Sequence, residues 1–320
     1  MGHASTVALV DGSCYADDGD VDLRFPDAGL WPPFPRRLRK WLYGLSAPWR
    51  YDLIVYEFAS SIVDFHRPGL DLLDLRLARH GRGVVAAVFH GCDVRAANGV
   101  CDFCPTPCDP ARARRRLDIV RAAADLLYVK TPDLLRVVPE ATYLPQAVLD
   151  PSRVQQEPPR MDGPLRLVHG PSAPLLKGTR HVIRAVDQLQ REGVDIELNL
   201  VHNVPHVEAL QAYRDSDLAV DQLLAGWYGV FAVELMAMGK PVVCRIDQSA
   251  LAASGLAGVP LIDASPDSLV DVLRELAGKR QLLRELGERS RDYVLENHDA
   301  ARLAARVVRD YESVSGVRAD

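Results

Sequence analysis

Short runs of β-branched and other apolar residues alternate along the chain with longer segments in which apolar positions recur every three or four residues. That alternation predicts an α/β protein. In the first half it places strands at 7–10, 52–58, 83–89, 126–129 and 142–144, and a helix from Pro110 to Asp125, where Asp109 can cap and Pro110 gives up an N–H the first turn does not need. The stretch 151–163 has prolines, polar side chains and no apolar period, the composition of a linker. A second series follows, with strands at 165–169, 195–201, 218–220, 241–245 and 259–262 and helices at 178–191, 206–216 and 229–238. Beyond Pro266 the pattern is wholly helical, at 267–277, 280–296 and 299–311. The expected organisation is two Rossmann-like, doubly wound parallel-sheet domains: an N-terminal one over 1–150, completed by a C-terminal helix within 299–320, and a second over 164–298. Ligand should bind beyond the carboxyl ends of the strands, in a cleft between the two.

Composition narrows the function. The 320 residues carry a formal net charge of −5, which argues against a nucleic-acid partner held by phosphate neutralisation. No apolar run is long enough to span a bilayer, and the first residues lack the basic-then-apolar build of a secretory signal, so the cytoplasm is the expected location. One segment departs from the overall acidity. In 36–45, RRLRKWLYGL, the residues Leu38, Trp41, Leu42 and Leu45 share one helical face and Arg36, Arg37, Arg39 and Lys40 the other. Packing on a neighbouring sheet is the expected use of that stripe, and peripheral contact with an anionic membrane is the alternative.

The densest chemistry lies in 226–243, GWYGVFAVELMAMGKPVV, a loop, a helix opening near Gly229, a glycine turn at Gly239 and a buried strand. This segment resembles the donor site of the retaining glycosyltransferases of family 4 and their GT-B relatives, which carry two glutamates eight positions apart ahead of a small-residue helix and G-x-P-V-V. Glu234 matches the second glutamate, and the resemblance implies that it accepts hydrogen bonds from the ribose hydroxyls of a nucleotide, as a carboxylate facing a vicinal diol can. Gly229 matches the helix-opening glycine. Gly226 stands where the first glutamate would face the donor sugar, so that carboxylate is missing; Asp221 or the backbone of the Gly226 turn, beside Tyr228, is the candidate replacement.

The same resemblance continues in 165–180, LRLVHGPSAPLLKGTR. Gly170 ends the strand, and Lys177 sits where the family places a lysine that stabilises the departing nucleoside diphosphate. The family's upstream arginine is absent, leaving Arg180 as the candidate substitute. A lysine at the start of a helix opposes the helix dipole and makes sense beside an anion. In 84–95, VVAAVFHGCDVR, His90 follows a buried strand and resembles the family's histidine-glycine at the sugar; His90 and Asp93 are catalytic candidates, and Arg95 a further contact.

The implied architecture is GT-B, and the implied reaction is glycosyl transfer from a nucleotide sugar, a UDP-sugar foremost, to a small-molecule or glycan acceptor with retention, without a catalytic divalent metal. A catalytically impaired GT-B scaffold that binds a nucleotide or sugar and acts as a partner subunit is the rival reading, supported by the missing glutamate and arginine. Finally, Cys92, Cys101, Cys104 and Cys108 are spaced to hold a structural zinc, with an iron–sulfur cluster, plain thiols or a metal- or redox-sensing role as alternatives.

Overall fold

The computed structural model describes residues 8–9, 21–22, 34–65, 69–98, 109–148 and 150–318. The chain falls into two compact units, Met1–Phe89 with Ala111–Leu127 and Tyr311–Asp320, and His90–Pro110 with Tyr128–Asp310. A two-stranded parallel ribbon pairs β1 (Ala8–Leu9) with β2 (Val21–Asp22). A four-stranded parallel sheet runs β3 (Leu53–Glu57), β4 (Val84–Phe89), β5 (Leu126–Val129) and β6 (Thr142–Tyr143), in that order. Every residue of β4 is buried, which is why its sequence, VVAAVF, is continuously apolar and does not alternate.

The second sheet has five parallel strands in the order β11 (Ile262–Asp263), β10 (Val242–Cys244), β9 (Leu218–Val220), β7 (Leu165–His169) and β8 (Ile196–Leu200). Its core gathers Leu165, Leu167, Val182, Val186, Leu218 and Leu273, from strands and from helices α6 (Thr179–Arg191) and α10 (Leu269–Ala277). The turn after α8 (Val230–Ala237) is set by Gly239, at φ +79°, which lets the chain reverse into β10. Gly287 of α11 (Arg280–Asn297) lies against it so closely that a Cβ there would sit 2.1 Å from the Gly239 carbonyl oxygen. The following Lys240 is buried; its ammonium donates to the carbonyls of Arg214 and Ser216, which end α7 (His206–Arg214). Both sheets therefore carry the expected α/β order, within a residue or two at most element ends. Helix α9 (Gln248–Ser254) was not expected; the Asp247 side chain caps it through Ser249 and Ala250 N–H.

The basic helix differs from expectation. α1 spans Phe34–Arg50 and packs on α2 (Leu73–Ala78). Its buried side is not the leucine stripe but Gly44, Ala47 and Pro48. Gly44 approaches Val63 and Ile62 so tightly that a Cβ would lie 2.7 Å from the valine methyl. Small residues allow that approach, so this side wins the contact while Leu38 and Leu42 stay exposed. Trp41 is half-buried, with its ring 5.7 Å from that of Phe65.

In the second unit, the passage from α11 into α12 (Ala300–Arg318) is fixed at His298. Its backbone carbonyl accepts from Val148 N–H, and its ring is buried. Nδ1 donates to the Gln146 carbonyl at 2.6 Å, so Nε2 accepts from the Tyr228 hydroxyl at 3.1 Å. Burial pushes this imidazole down to about 4. The folded state thus refuses a proton that the unfolded chain takes up below about pH 6.5. The stabilisation is complete above that pH and is lost as pH falls from there through about 4, an effect on the order of 3 kcal/mol. His298→Asn keeps a donor for Gln146 and removes the titration. The urea midpoint should therefore fall less between pH 7.5 and 5 in this variant than in the parent chain; equal falls would show that His298 does not set the acid sensitivity.

Candidate functional site

The carboxyl ends of β7, β9 and the helix that precedes β10 bring together most of the residues singled out in the second half of the sequence. Lys177 ends the one-turn helix α5 (Pro174–Lys177), and Gly178, at φ +76°, turns the chain into α6. The lysine therefore closes one turn of helix and directly precedes Gly178, the N-cap of α6. Its ammonium is buried and lies 2.8 Å from Asp221 Oδ1. The ring of Phe231, 5.2 Å away, gives it a cation–π face, and the Gly170 carbonyl is at 3.5 Å. Gly170 is required there for space: a Cβ would meet the Phe231 ring at 2.7 Å.

Asp221 directly follows β9 and is fully buried. Its second oxygen accepts from the Gly229 N–H at 2.8 Å. One carboxylate thus holds both the lysine loop and the glycine that opens α8. The two loops are also joined through the backbone, where Leu223 N–H donates to the Lys177 carbonyl. Between Asp221 and Gly229, Gly226 adopts φ +71° and packs against Asp247, whose N–H donates to the Gly226 carbonyl. Tyr228 faces away from this cluster. It stacks on Trp227 at 5.1 Å, and its hydroxyl is taken up by Tyr293 and His298, so it anchors the loop from behind.

Glu234 lies one turn into α8, half-buried, with Oε1 2.9 Å from His206 Nε2. Burial pushes its carboxyl above the ordinary range, and the charges of His206 and Lys177 oppose that rise. Beneath the cluster, His169 at the end of β7 is buried and neutral. Its Nδ1 donates to the Val220 carbonyl and its Nε2 accepts from the Thr179 hydroxyl, and burial lowers its pKa. Arg180 is exposed and donates to the neighbouring His181 ring.

The residues after β4 form a second group. Asp93, in α3 (Cys92–Arg95), folds back to accept from the His90 and Gly91 N–H groups, and burial raises its pKa. Arg95 forks onto Asp133 and reaches Thr131, and a Cβ on Gly91, at φ +156°, would strike its guanidinium at 2.5 Å. Asp93 and Arg95 thus shape the loop that carries the half-buried His90. Of the four clustered cysteines, Cys92 is exposed at the start of α3, while Cys101, Cys104 and Cys108 lie outside the described residues.

His169, Thr179, Phe231 and His206 were not singled out from the sequence. His206 is 28 residues from Glu234, a separation that no local spacing rule covers.

No protein-family model matches the chain, and no curated protein matches it. Solved structures do share its fold. The crystal structure of Anabaena HepE in complex with UDP and glucose is 13% identical over 92% of this chain and 86% of its own, with a TM-score of 0.61. Sucrose-phosphate synthase from Thermosynechococcus elongatus is 14% identical over 92% and 84%, with a TM-score of 0.62. TarM is 11% identical over 81% of this chain and 54% of its own, with a TM-score of 0.58. With its two parallel α/β sheets, the chain has the GT-B fold of these glycosyltransferases.

Proposed function

We propose that this protein transfers a glycosyl group from a nucleotide sugar, with a UDP-sugar as donor, to a hydroxyl of a small-molecule or glycan acceptor, retaining the anomeric configuration. The observation that carries the reading is the buried cation of Lys177, held by Asp221 at the carboxyl edge of a parallel sheet beside Glu234. HepE, with which the chain shares its fold, was solved with UDP and with UDP-glucose.

In this reading Glu234 accepts from the ribose hydroxyls and Lys177 faces the diphosphate. As the bond from the anomeric carbon to the phosphate oxygen breaks, its electron pair stays on the diphosphate, and Lys177 meets the growing charge. The acceptor hydroxyl attacks from the same face, and its proton passes to the departing phosphate oxygen. A double displacement would need a carboxylate free to bond the anomeric carbon. Asp221 is committed to Lys177 and Gly229, so front-face attack fits better. Release of UDP from a panel of UDP-sugars tests the proposal; a chain that binds UDP but turns over no donor would be a binding scaffold instead.

The ion pair dictates how Lys177 must be tested. Lys177→Ala alone leaves Asp221 buried without its counter-charge and should cost about 3–5 kcal/mol of stability. Lys177→Met with Asp221→Asn keeps the site neutral, and the amide oxygen still accepts from Gly229. That double variant should melt close to the parent temperature yet lose on the order of 10²-fold in kcat for donor turnover. A change in KM with kcat intact would make Lys177 a ground-state contact and contradict the assignment.

Glu234 predicts a pH dependence. It must be ionised to accept from two hydroxyls, and its raised pKa means that it protonates at a higher pH than an ordinary carboxyl. UDP affinity should therefore be full above that pKa and fall as pH drops through it. His206→Ala removes an influence that lowers the pKa, so the acid limb should move to higher pH; Glu234→Gln should abolish the limb and weaken binding by about 1.5–3 kcal/mol. An acid limb in the same place in His206→Ala, measured by calorimetry, would show that the pair does not govern binding.

A further inference from the structure

α1 shows solvent a side that an amphipathic helix ordinarily buries. Leu38, Leu42 and Trp49 are 40%, 61% and 50% exposed. At 3.6 residues per turn these positions fall within about 40° of one another, with half-buried Leu45 about 20° beyond Leu38 at their edge. The packing of the helix is already satisfied elsewhere, through Gly44, Ala47 and Pro48 and through Trp41 against Phe65. The stripe is thus a second apolar face, and Phe65, 38% exposed, extends it past Trp41. Charge says what it fits. α1 carries Arg36, Arg37, Arg39, Lys40 and Arg50 and no acidic residue, in a chain whose net charge is −5. Arg39 and Arg50 are exposed about 100° round the helix from the stripe, so apolar and cationic surfaces adjoin.

We propose that α1 docks the protein on an anionic phospholipid surface, with Leu38, Leu42 and Trp49 entering the headgroup–acyl boundary and Arg39 and Arg50 meeting lipid phosphates. A helix lying in the interface needs this combination: an apolar face about 5–10 Å deep and basic residues beside it. The aromatic ring of Trp49 suits the boundary, where apolar and wet surroundings meet. The inference uses only α1 and its packing, so it stands or falls separately from the glycosyl-transfer reading.

Co-sedimentation of the full chain with lipid vesicles tests it, without donor or acceptor. Vesicles of phosphatidylcholine containing about one third phosphatidylglycerol should capture the protein, and phosphatidylcholine alone should capture far less. Leu42→Glu with Trp49→Glu should cut binding at least about tenfold, the cost of keeping one large apolar side chain out of lipid, with the melting temperature unchanged because both side chains are exposed. Arg39→Gln and Arg50→Gln should each lower affinity about fivefold and weaken its salt dependence. Absence of binding to the anionic vesicles, or equal binding by the Leu42→Glu/Trp49→Glu variant, would overturn the proposal. So would light scattering that finds a dimer of the parent chain dissociated by the same variant without any lipid binding, which would make a second copy the occupant of the stripe.

Discussion

The site depends on one buried ion pair. Two charges taken from water lose most of their hydration, and Lys177 and Asp221 tolerate this because each has further partners: Phe231 and the Gly170 carbonyl for the ammonium, the Gly229 N–H for the carboxylate. Asp221 lies just beyond β9 in the loop that runs to Gly229 at the start of α8, and Lys177 ends α5, so a single carboxylate fixes two loops at one sheet edge. A fixed cation is what an anionic leaving group needs, because its charge is in place before the reaction starts.

The surroundings stiffen that arrangement from behind. His169 ties the end of β7 to β9 and to α6. Tyr228 anchors the loop of the Gly226 turn to the Trp227, Tyr293 and His298 cluster, away from the lysine. His169, Tyr228 and His298 are neutral, buried and hydrogen-bonded, the condition under which polar side chains lend rigidity without leaving unsatisfied atoms. His298, whose burial lowers its pKa, is also one of the residues that hold this loop.

Much of this was legible in the sequence because it is local. Short β-branched runs and period-3.6 patterns mark the strands of both sheets and the longer helices, while the short helices α2, α3, α5 and α9 carry too few turns to show a period; the G-K-P-V-V turn is readable since Gly239 must take a positive φ. Lys177, Glu234 and Gly229 stand out through resemblance; Asp221 is one of two candidates in the sequence for the carboxylate missing at Gly226, and in the structure its two oxygens are taken up by Lys177 and the Gly229 N–H. The sequence does not reveal that Lys177, just ahead of the α6 N-cap, also closes a separate turn of helix. Nor could spacing bring His206 to Glu234, or Phe231 over the lysine, since both contacts depend on how α7 and α8 pack. The leucine stripe of α1 misled for a similar reason. Hydrophobicity marks a face, but the close approach of Gly44 to Val63 and Ile62 decided which side was buried.

The central claim is that the Lys177 cation is placed for a nucleoside diphosphate. Calorimetric titration with UDP and with uridine, under identical conditions, addresses it most directly. Both carry the ribose that Glu234 would hold, but only UDP carries phosphates for Lys177 to meet. The account predicts that UDP binds at least about tenfold more tightly, as a charge-assisted contact of about 1.5–3 kcal/mol requires. Equal affinities for the two ligands would contradict it.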